Sequence, residues 1–164
     1  MSNATATLAT SRTEMTELLL PNETNNLGRA LGGTVLHWMD LCAAVAAMRF
    51  SGRQCVTASM DHTDFLSPID LGEVVELDAY VFRTGRTSLD CRVSVHAEDP
   101  KGGETNRRKT TTSFFTFVAL DDEGHPTGVP ELVCETETEE ALRERAIEEQ
   151  REQLATVVAR LEDD

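Results

Sequence analysis

Four features of this 164-residue sequence have the residue types that chemistry requires: an aspartate inside a helical pattern, an asparagine in a turn, a glycine pair and three of the four histidines. Asp40 lies about 90° from the centre of an apolar stripe that runs through Met39 and Phe50, at ~100° per residue. It therefore sits on the shoulder of the helix, where a half-shielded carboxylate has the environment of a general base. A boundary aspartate with no chemical role has the same position, and the pattern does not separate the two. Asn25 belongs to the polar run Pro21-Asn22-Glu23-Thr24-Asn25-Asn26. Its amide is suited to local turn hydrogen bonds, or to holding a water or a substrate carbonyl. Gly32-Gly33 opens the helix, where unpaired N–H groups and a partial positive charge favour an oxyanion, and where the lack of side chains equally suits close helix–sheet packing. His37 is three residues from Asp40 without a third ligand in sight, His62 lies among acids, and His96 occupies an alternating position. No metal site is expected.

Several chemistries lack their sequence signature. There is no Gly-x-Ser-x-Gly, no phosphate-binding P-loop and no Gly-x-Gly-x-x-Gly, which sets aside the common serine hydrolase, nucleotide hydrolase and dehydrogenase patterns. Cys42, Cys55, Cys91 and Cys134 form no Cys-x-x-Cys pair and read as reduced, buried small hydrophobes.

The elements that must position these residues follow from hydrophobic spacing. Residues 1–11, almost all Ser, Thr and Ala, read as a disordered tail. Residues 12–20 read as a first strand. Val35, Leu36, Met39, Cys42, Ala43, Ala46, Ala47 and Phe50 recur at three and four, a helix with one buried stripe that ends at Ser51-Gly52. Alternation then predicts strands at Gln54–Phe65, Glu73–Arg83, Ser88–Glu98 and Lys109–Leu120. The separators are Ser67-Pro68 to Leu71-Gly72, Thr84-Gly85-Arg86, and Asp99-Pro100-Lys101-Gly102-Gly103. One long helix followed by four consecutive strands indicates an antiparallel sheet with a helix on one face, an α+β domain. The segment 131–164 carries twelve acidic and four basic residues and a thin apolar seam, Leu142, Ile147, Leu154, Val158 and Leu161, and reads as a solvated helix docked on the body.

The net charge is −14, from 15 basic and 29 acidic side chains. A nucleic-acid binder needs a net basic face, and this composition argues against one. No apolar run approaches the ~18–20 residues of a membrane span. Met1 to Thr10 shows no leader pattern, so a cytoplasmic location is expected. Arginine occurs thirteen times and lysine twice. Surplus carboxylate with little lysine suits a halophilic, salt-rich interior in which repulsion is screened.

Taken in order, Leu20-Pro21-Asn22-Glu23-Thr24-Asn25-Asn26-Leu27-Gly28 and Leu31-Gly32-Gly33-Thr34-Val35-Leu36-His37-Trp38-Met39-Asp40 resemble the hotdog-fold acyl-CoA thioesterases. The branch is that of the bacterial short-chain and brain cytosolic acyl-CoA hydrolases. Val56-Thr57-Ala58, Phe65-Leu66-Ser67-Pro68, Gly72-Glu73-Val74-Val75, Gly85-Arg86-Thr87-Ser88 and Phe115-Thr116-Phe117-Val118-Ala119-Leu120 continue the match, so that it covers about residues 15–130. The resemblance implies a long central helix wrapped by a five- to six-stranded antiparallel sheet over residues 12–130. It implies dimers joined edge to edge, and hexamers built from three dimers. It places Asp40 as general base or nucleophile and Asn25 beside the water or carbonyl, with the N–H groups near Gly32 and Gly33 on the oxyanion. Leu27 stands where many members carry a small polar residue.

Coenzyme A would enter as part of the substrate, and no other cofactor is implied. An acidic protein must gather cations locally for such an anion. Arg83, Arg86, Arg107, Arg108 and Lys109 are the candidates, with Gly85, Thr87 and Ser88 implied by the family segment. Asp40 lies seven residues beyond Gly33, roughly 10 Å along the helix. A site composed from two subunits is therefore expected. A non-catalytic acyl-CoA-binding module and a hotdog hydratase are the alternatives. A hydratase needs a histidine paired with an acid, a role that suits His37 poorly because it lies about 150° from the stripe centre.

Overall fold

A 20-residue helix, α2 (Gly32–Ser51), lies along one face of a curled five-stranded antiparallel sheet in the computed structural model of the chain, which describes residues 4–102 and 106–164. The sheet is built from β2 (Thr13–Leu18), β3 (Gln54–Met60), β4 (Val74–Thr84), β5 (Ser88–Glu98) and β6 (Arg108–Leu120), in the spatial order β2-β4-β5-β6-β3. Every neighbouring pair is antiparallel. The α+β expectation holds.

Helix α2 forms where its apolar spacing places it. Val35, Met39, Cys42, Ala43, Ala46, Ala47 and Phe50 are buried against Leu77, Val81, Val93, Val95, Phe115 and Phe117 of the sheet. Four of those seven helix residues are Ala or Cys, small enough to bring the helix axis close to the strands. Gly52 ends the helix in the left-handed region at φ 67°, its N–H bonded to the Met48 carbonyl, as its lack of a Cβ allows.

The opposite face of the sheet is also covered. Tyr80, Phe82 and Phe114 pack there with Leu8 and Ala146, beneath the 27-residue helix α3 (Glu137–Asp163). Phe82 and Phe114 meet edge to face at 5.6 Å, and the Tyr80 hydroxyl donates to the Leu142 carbonyl at 2.7 Å. Among the described residues, no helix is long and apolar enough to cross a membrane.

Two sequence expectations are corrected. Residues 1–3 of the expected tail lie outside the described residues, but the rest is ordered as β1 (Thr5–Thr7) and a single helical turn, α1 (Leu8–Ser11). Strand β1 pairs in parallel with β7 (Glu131–Val133), and the Glu139 carboxylate accepts from the Ala9 N–H at 2.9 Å. The Ser11 hydroxyl accepts from the Val81 N–H at 2.9 Å, beside the register shift of β4. A stretch of Ser, Thr and Ala carries no periodic signal of its own, and its order comes from these distant partners. The expected strand from Gln54 to Phe65 stops at Met60. Beyond it the polar run Asp61-His62-Thr63-Asp64 breaks the alternation, and the chain follows β6 through single bonds, Asp61 N–H to the Phe114 carbonyl and Leu66 N–H to the Thr110 carbonyl. Gly103, in the separator before β6, lies outside the described residues.

Candidate active site

Asp40 projects from the middle of α2 toward β3, and the Thr57 hydroxyl donates to its Oδ1 at 2.7 Å. Thr57 shares the inward face of β3 with buried Cys55, two residues earlier. The register then shifts between Thr57 and Ser59. Among the described residues strand β3 pairs only with β6, so its outer edge, next to Asp40, carries unpaired backbone groups. Thr57 was missed as a site residue from sequence. Its signal was an inward polar side chain following Cys55 in alternation.

Asn25 is fixed by its own turn. Its Oδ1 accepts from the N–H groups of Leu27 (2.9 Å) and Arg29 (3.2 Å), and its backbone N–H donates to the Arg29 carbonyl at 2.8 Å. Gly28 follows at φ 72°, which any other side chain would strain. With the oxygen so engaged, the exposed group is Nδ2, a donor only. Asn25 can thus donate to a carbonyl oxygen or to a lone pair of water, and it cannot act as a base.

At the start of α2, the Thr34 and Val35 N–H groups both bond the Leu31 carbonyl. The N–H groups of Gly32 and Gly33 precede them, without an intrahelical acceptor. The Asn25 loop lies beside the 66–73 turn, joined by Ala30 N–H to Ile69 carbonyl at 2.9 Å and Leu71 N–H to Gly28 carbonyl at 2.8 Å.

The expected cations do not form one cluster. Ser88 pairs with Val118 and Ala97 with Arg108, so Arg86 and Arg108 sit at opposite ends of β5. The nine residue steps from Ser88 to Ala97 span about 30 Å. Arg108 is already committed: it grips Glu73 through Nη1 and Nη2 at 2.7 Å each and donates to the Pro68 carbonyl. Glu73, buried, in turn accepts from the Asp70 N–H. The Arg108 hydrogen bonds hold the Glu73 carboxyl below the ordinary range. Arg107 pairs with Glu76, Lys109 lies 3.9 Å from Glu149, and Arg83 contacts Asp90 and Gln150. Arg86 alone of the five makes no ion pair with the described residues. It lies with Gly85 beside a cavity of about 400 Å³. Thr57 pairs with Phe117, and Phe117 with Leu89, so the Gly85–Ser88 turn is at the Asp40 end of the sheet.

The remaining chemistry-bearing residues stand apart. His37 is exposed on α2, and His62 lies 3.0 Å from both Asp64 and Arg160 on the surface. His96 titrates below its ordinary value because of partial burial and the neighbouring Arg107. Cys42, Cys55 and Cys91 are buried, and burial pushes the Cys42 thiol up to about 12. Among the described residues, no group of three or more His, Cys, Asp or Glu side chains is placed to hold a metal ion.

Comparison with known proteins bears on this arrangement. A family model described as Thioesterase superfamily matches residues 27–104. The chain is 41% identical over 138 residues to an acyl-CoA thioester hydrolase of Bacillus subtilis, covering 84% of this chain and 79% of that protein. It is 32% identical to the cytosolic acyl coenzyme A thioester hydrolase of Rattus norvegicus, of which it spans 35%. A hexameric acyl-CoA thioesterase in its apo form superimposes with a TM-score of 0.81 at 40% identity, over 94% of this chain and 97% of that one. An acyl-CoA hydrolase of Staphylococcus aureus, in complex with coenzyme A, gives 0.82 at 29% identity over 99% of this chain and 96% of that one. It was solved with alanine in place of an asparagine, and in other structures of an aspartate fifteen residues later or a threonine seventeen beyond that.

Proposed function

The chain belongs to the thioesterase superfamily, and from that premise we propose that Asp40, Thr57, Asn25 and the α2 N-terminus hydrolyse an acyl-CoA thioester between two copies of the chain. The enzyme is an acyl-CoA thioester hydrolase, releasing a carboxylic acid and the coenzyme A thiol. One observation carries the assignment of residues. Asn25, Asp40 and Thr57 have the spacing of fifteen and seventeen residues seen in the three substituted positions of the S. aureus hydrolase, and Thr57 and Asp40 are hydrogen-bonded.

The chemistry follows from the donors and acceptors. Thr57 fixes one carboxylate oxygen and leaves the other to act. Asp40 takes a proton from an attacking water, or itself attacks the carbonyl carbon to give an anhydride that water opens. Either path puts negative charge on the former carbonyl oxygen. The N–H groups of Gly32 and Gly33, with Asn25 Nδ2, supply donors to that oxygen. The helix rise of roughly 10 Å between Gly33 and Asp40 separates the two sets within one protomer. In the proposed arrangement β3 edges of two copies pair, and Asp40 of each faces the turn of the other. The homodimer is then the minimal active unit and three dimers form the hexamer. Release of coenzyme A thiol from acyl-CoA, followed with a thiol reagent, is the direct test of the activity.

Loss of the Thr57 hydroxyl should leave the fold in place and the carboxylate unaligned. Thr57→Val is expected to lower kcat about 10- to 100-fold, the worth of one hydrogen bond to a charged group, with KM little changed. Thr57→Ser should restore most of the rate. A valine variant as fast as wild type would remove Thr57 from the mechanism.

The Gly85-Arg86-Thr87-Ser88 turn is the proposed seat of the coenzyme A moiety, with Arg86 its cation. Arg108 has a different task, bracing the turn that supports the Asn25 loop. Arg86→Ala should raise KM for acyl-CoA about 5- to 10-fold, the loss of one charge-assisted contact. Arg108→Ala should instead lower stability by about 2–3 kcal/mol, because buried Glu73 loses its partner. Michaelis kinetics and thermal melts of both variants check the contrast, and exchanged effects would reverse the assignment. The acidic, lysine-poor composition supports, in this reading, a salt-rich cytoplasm as the enzyme's setting.

A further inference from the structure

A Cβ built on Gly32 would lie 3.4 Å from Phe65 Cε2 and 3.7 Å from its Cζ, so the Phe65 ring rests on the first residue of α2. The ring is set there by backbone bonds on either side, since the Thr111 hydroxyl donates to the Asp64 carbonyl at 2.7 Å and the Leu66 N–H to the Thr110 carbonyl at 2.8 Å. Despite this anchoring, Phe65 remains 45% exposed. Leu31, which precedes Gly32, is 43% exposed, Leu66 is 72% and Leu27, beside Asn25, is 76%. Phe65 and Leu66 sit on one segment and Leu27 and Leu31 on another, and hydrogen bonds from Ala30 to Ile69 and from Leu71 to Gly28 hold the two together, with the Phe65 ring at Gly32.

We propose that Phe65 forms a wall of the acyl-chain site and sets the enzyme's preference for acyl length. The inference rests on the reading that the Gly32 and Gly33 N–H groups receive the thioester oxygen. An oxygen held there places its carbonyl carbon, and whatever is bonded to it, within van der Waals reach of the ring. Of the two substituents, the acyl chain is the one whose burial against Phe65, Leu31 and Leu27 is favourable, because pantetheine carries amides that such a surface leaves unpaired. Each methylene that reaches the ring contributes about three- to fourfold in kcat/KM. The same hydrocarbon excludes water from the N–H groups and strengthens their hold on a developing oxyanion.

The test is a series of acetyl-, butyryl-, hexanoyl- and octanoyl-CoA with wild type and Phe65→Ala. The variant is expected to lose about twofold in kcat/KM on acetyl-CoA and about 30-fold on octanoyl-CoA, which flattens the dependence on chain length. An equal loss on all four esters overturns the proposal, because it assigns the ring to positioning alone. Dissociation of the oligomer on a sizing column with an unchanged length dependence also overturns it, since the ring then serves a subunit contact. If wild type releases no thiol from any ester, the underlying function fails instead. Should the alanine variant lose its circular dichroism, Phe65→Leu and Phe65→Trp carry the test. Leucine should lower the slope in part and tryptophan should penalise octanoyl-CoA most, and identical slopes would end the idea.

Discussion

Asp40→Ala loses acyl-CoA hydrolysis by roughly 10²- to 10⁴-fold in kcat, the contribution of a positioned general base or its nucleophilic equivalent. Its melting temperature is expected to stay near that of wild type. Asp40 is only half-buried, and its side-chain partner among the described residues, Thr57, is itself solvent-exposed. Asp40→Asn sharpens the test, because the amide oxygen still accepts from Thr57 while the group can no longer take a proton or attack. Both variants should therefore be inactive, and each should still bind coenzyme A at the Gly85–Ser88 turn. A variant that retained a tenth of the wild-type rate would make Asp40 a bystander. The same assay decides the reaction class. Thiol release by wild type excludes a binding module, and unchanged absorbance of the double bond excludes a hydratase.

The second large effect appears when two inactive proteins are combined. Asn25→Ala and Asp40→Ala chains, co-expressed in equal amounts, should regain about a quarter of wild-type activity. Random pairing makes half of the dimers mixed. In each mixed dimer one site combines both substitutions, and the other combines an intact Asn25 with an intact Asp40. Each variant alone stays inactive, because every site in its homodimer lacks one group. Recovery near zero, with mixed dimers demonstrated by differential tags, would falsify the shared site while leaving Asp40 as the reacting group. The location of Asp40 beside the unpaired edge of β3, away from the Asn25 turn along α2, is what makes this outcome expected.

Much of this was legible in the residues. The three- and four-residue spacing from Val35 to Phe50 fixed both the existence of α2 and the face it buries, and the Gly52 end was correct to the residue. Asp40 on the shoulder of that stripe followed from the same arithmetic. Asn25 needed the structure to assign its role, since only the turn bonds to Leu27 and Arg29 show which end of the amide is free. Thr57 was invisible as a partner of Asp40 because the contact is made by the packing of β3 against α2, across seventeen residues of chain. The arginines failed for a related reason. Residues 86 and 108 carry the same charge, but the length of β5 separates them, and Glu73 had already claimed one of them. Composition counts charges and says nothing of where a sheet will put them. The N-terminal segment shows the same limit, since Leu8 is fully buried only because α3 and β4 arrive to cover it.

That N-terminal segment has a consequence for synthesis. Among the described residues strand β1 has no hydrogen-bonding neighbour in the main sheet, and its ladder runs to residues 131–133. On the ribosome β1 therefore waits for this partner until residues 131–133 have emerged. Closure of this long loop is slow compared with the local hairpins of β4, β5 and β6. The sheet can curl around α2 first, and the outer layer then ties Thr5–Thr7 to Glu131–Val133 and Ala9 to Glu139.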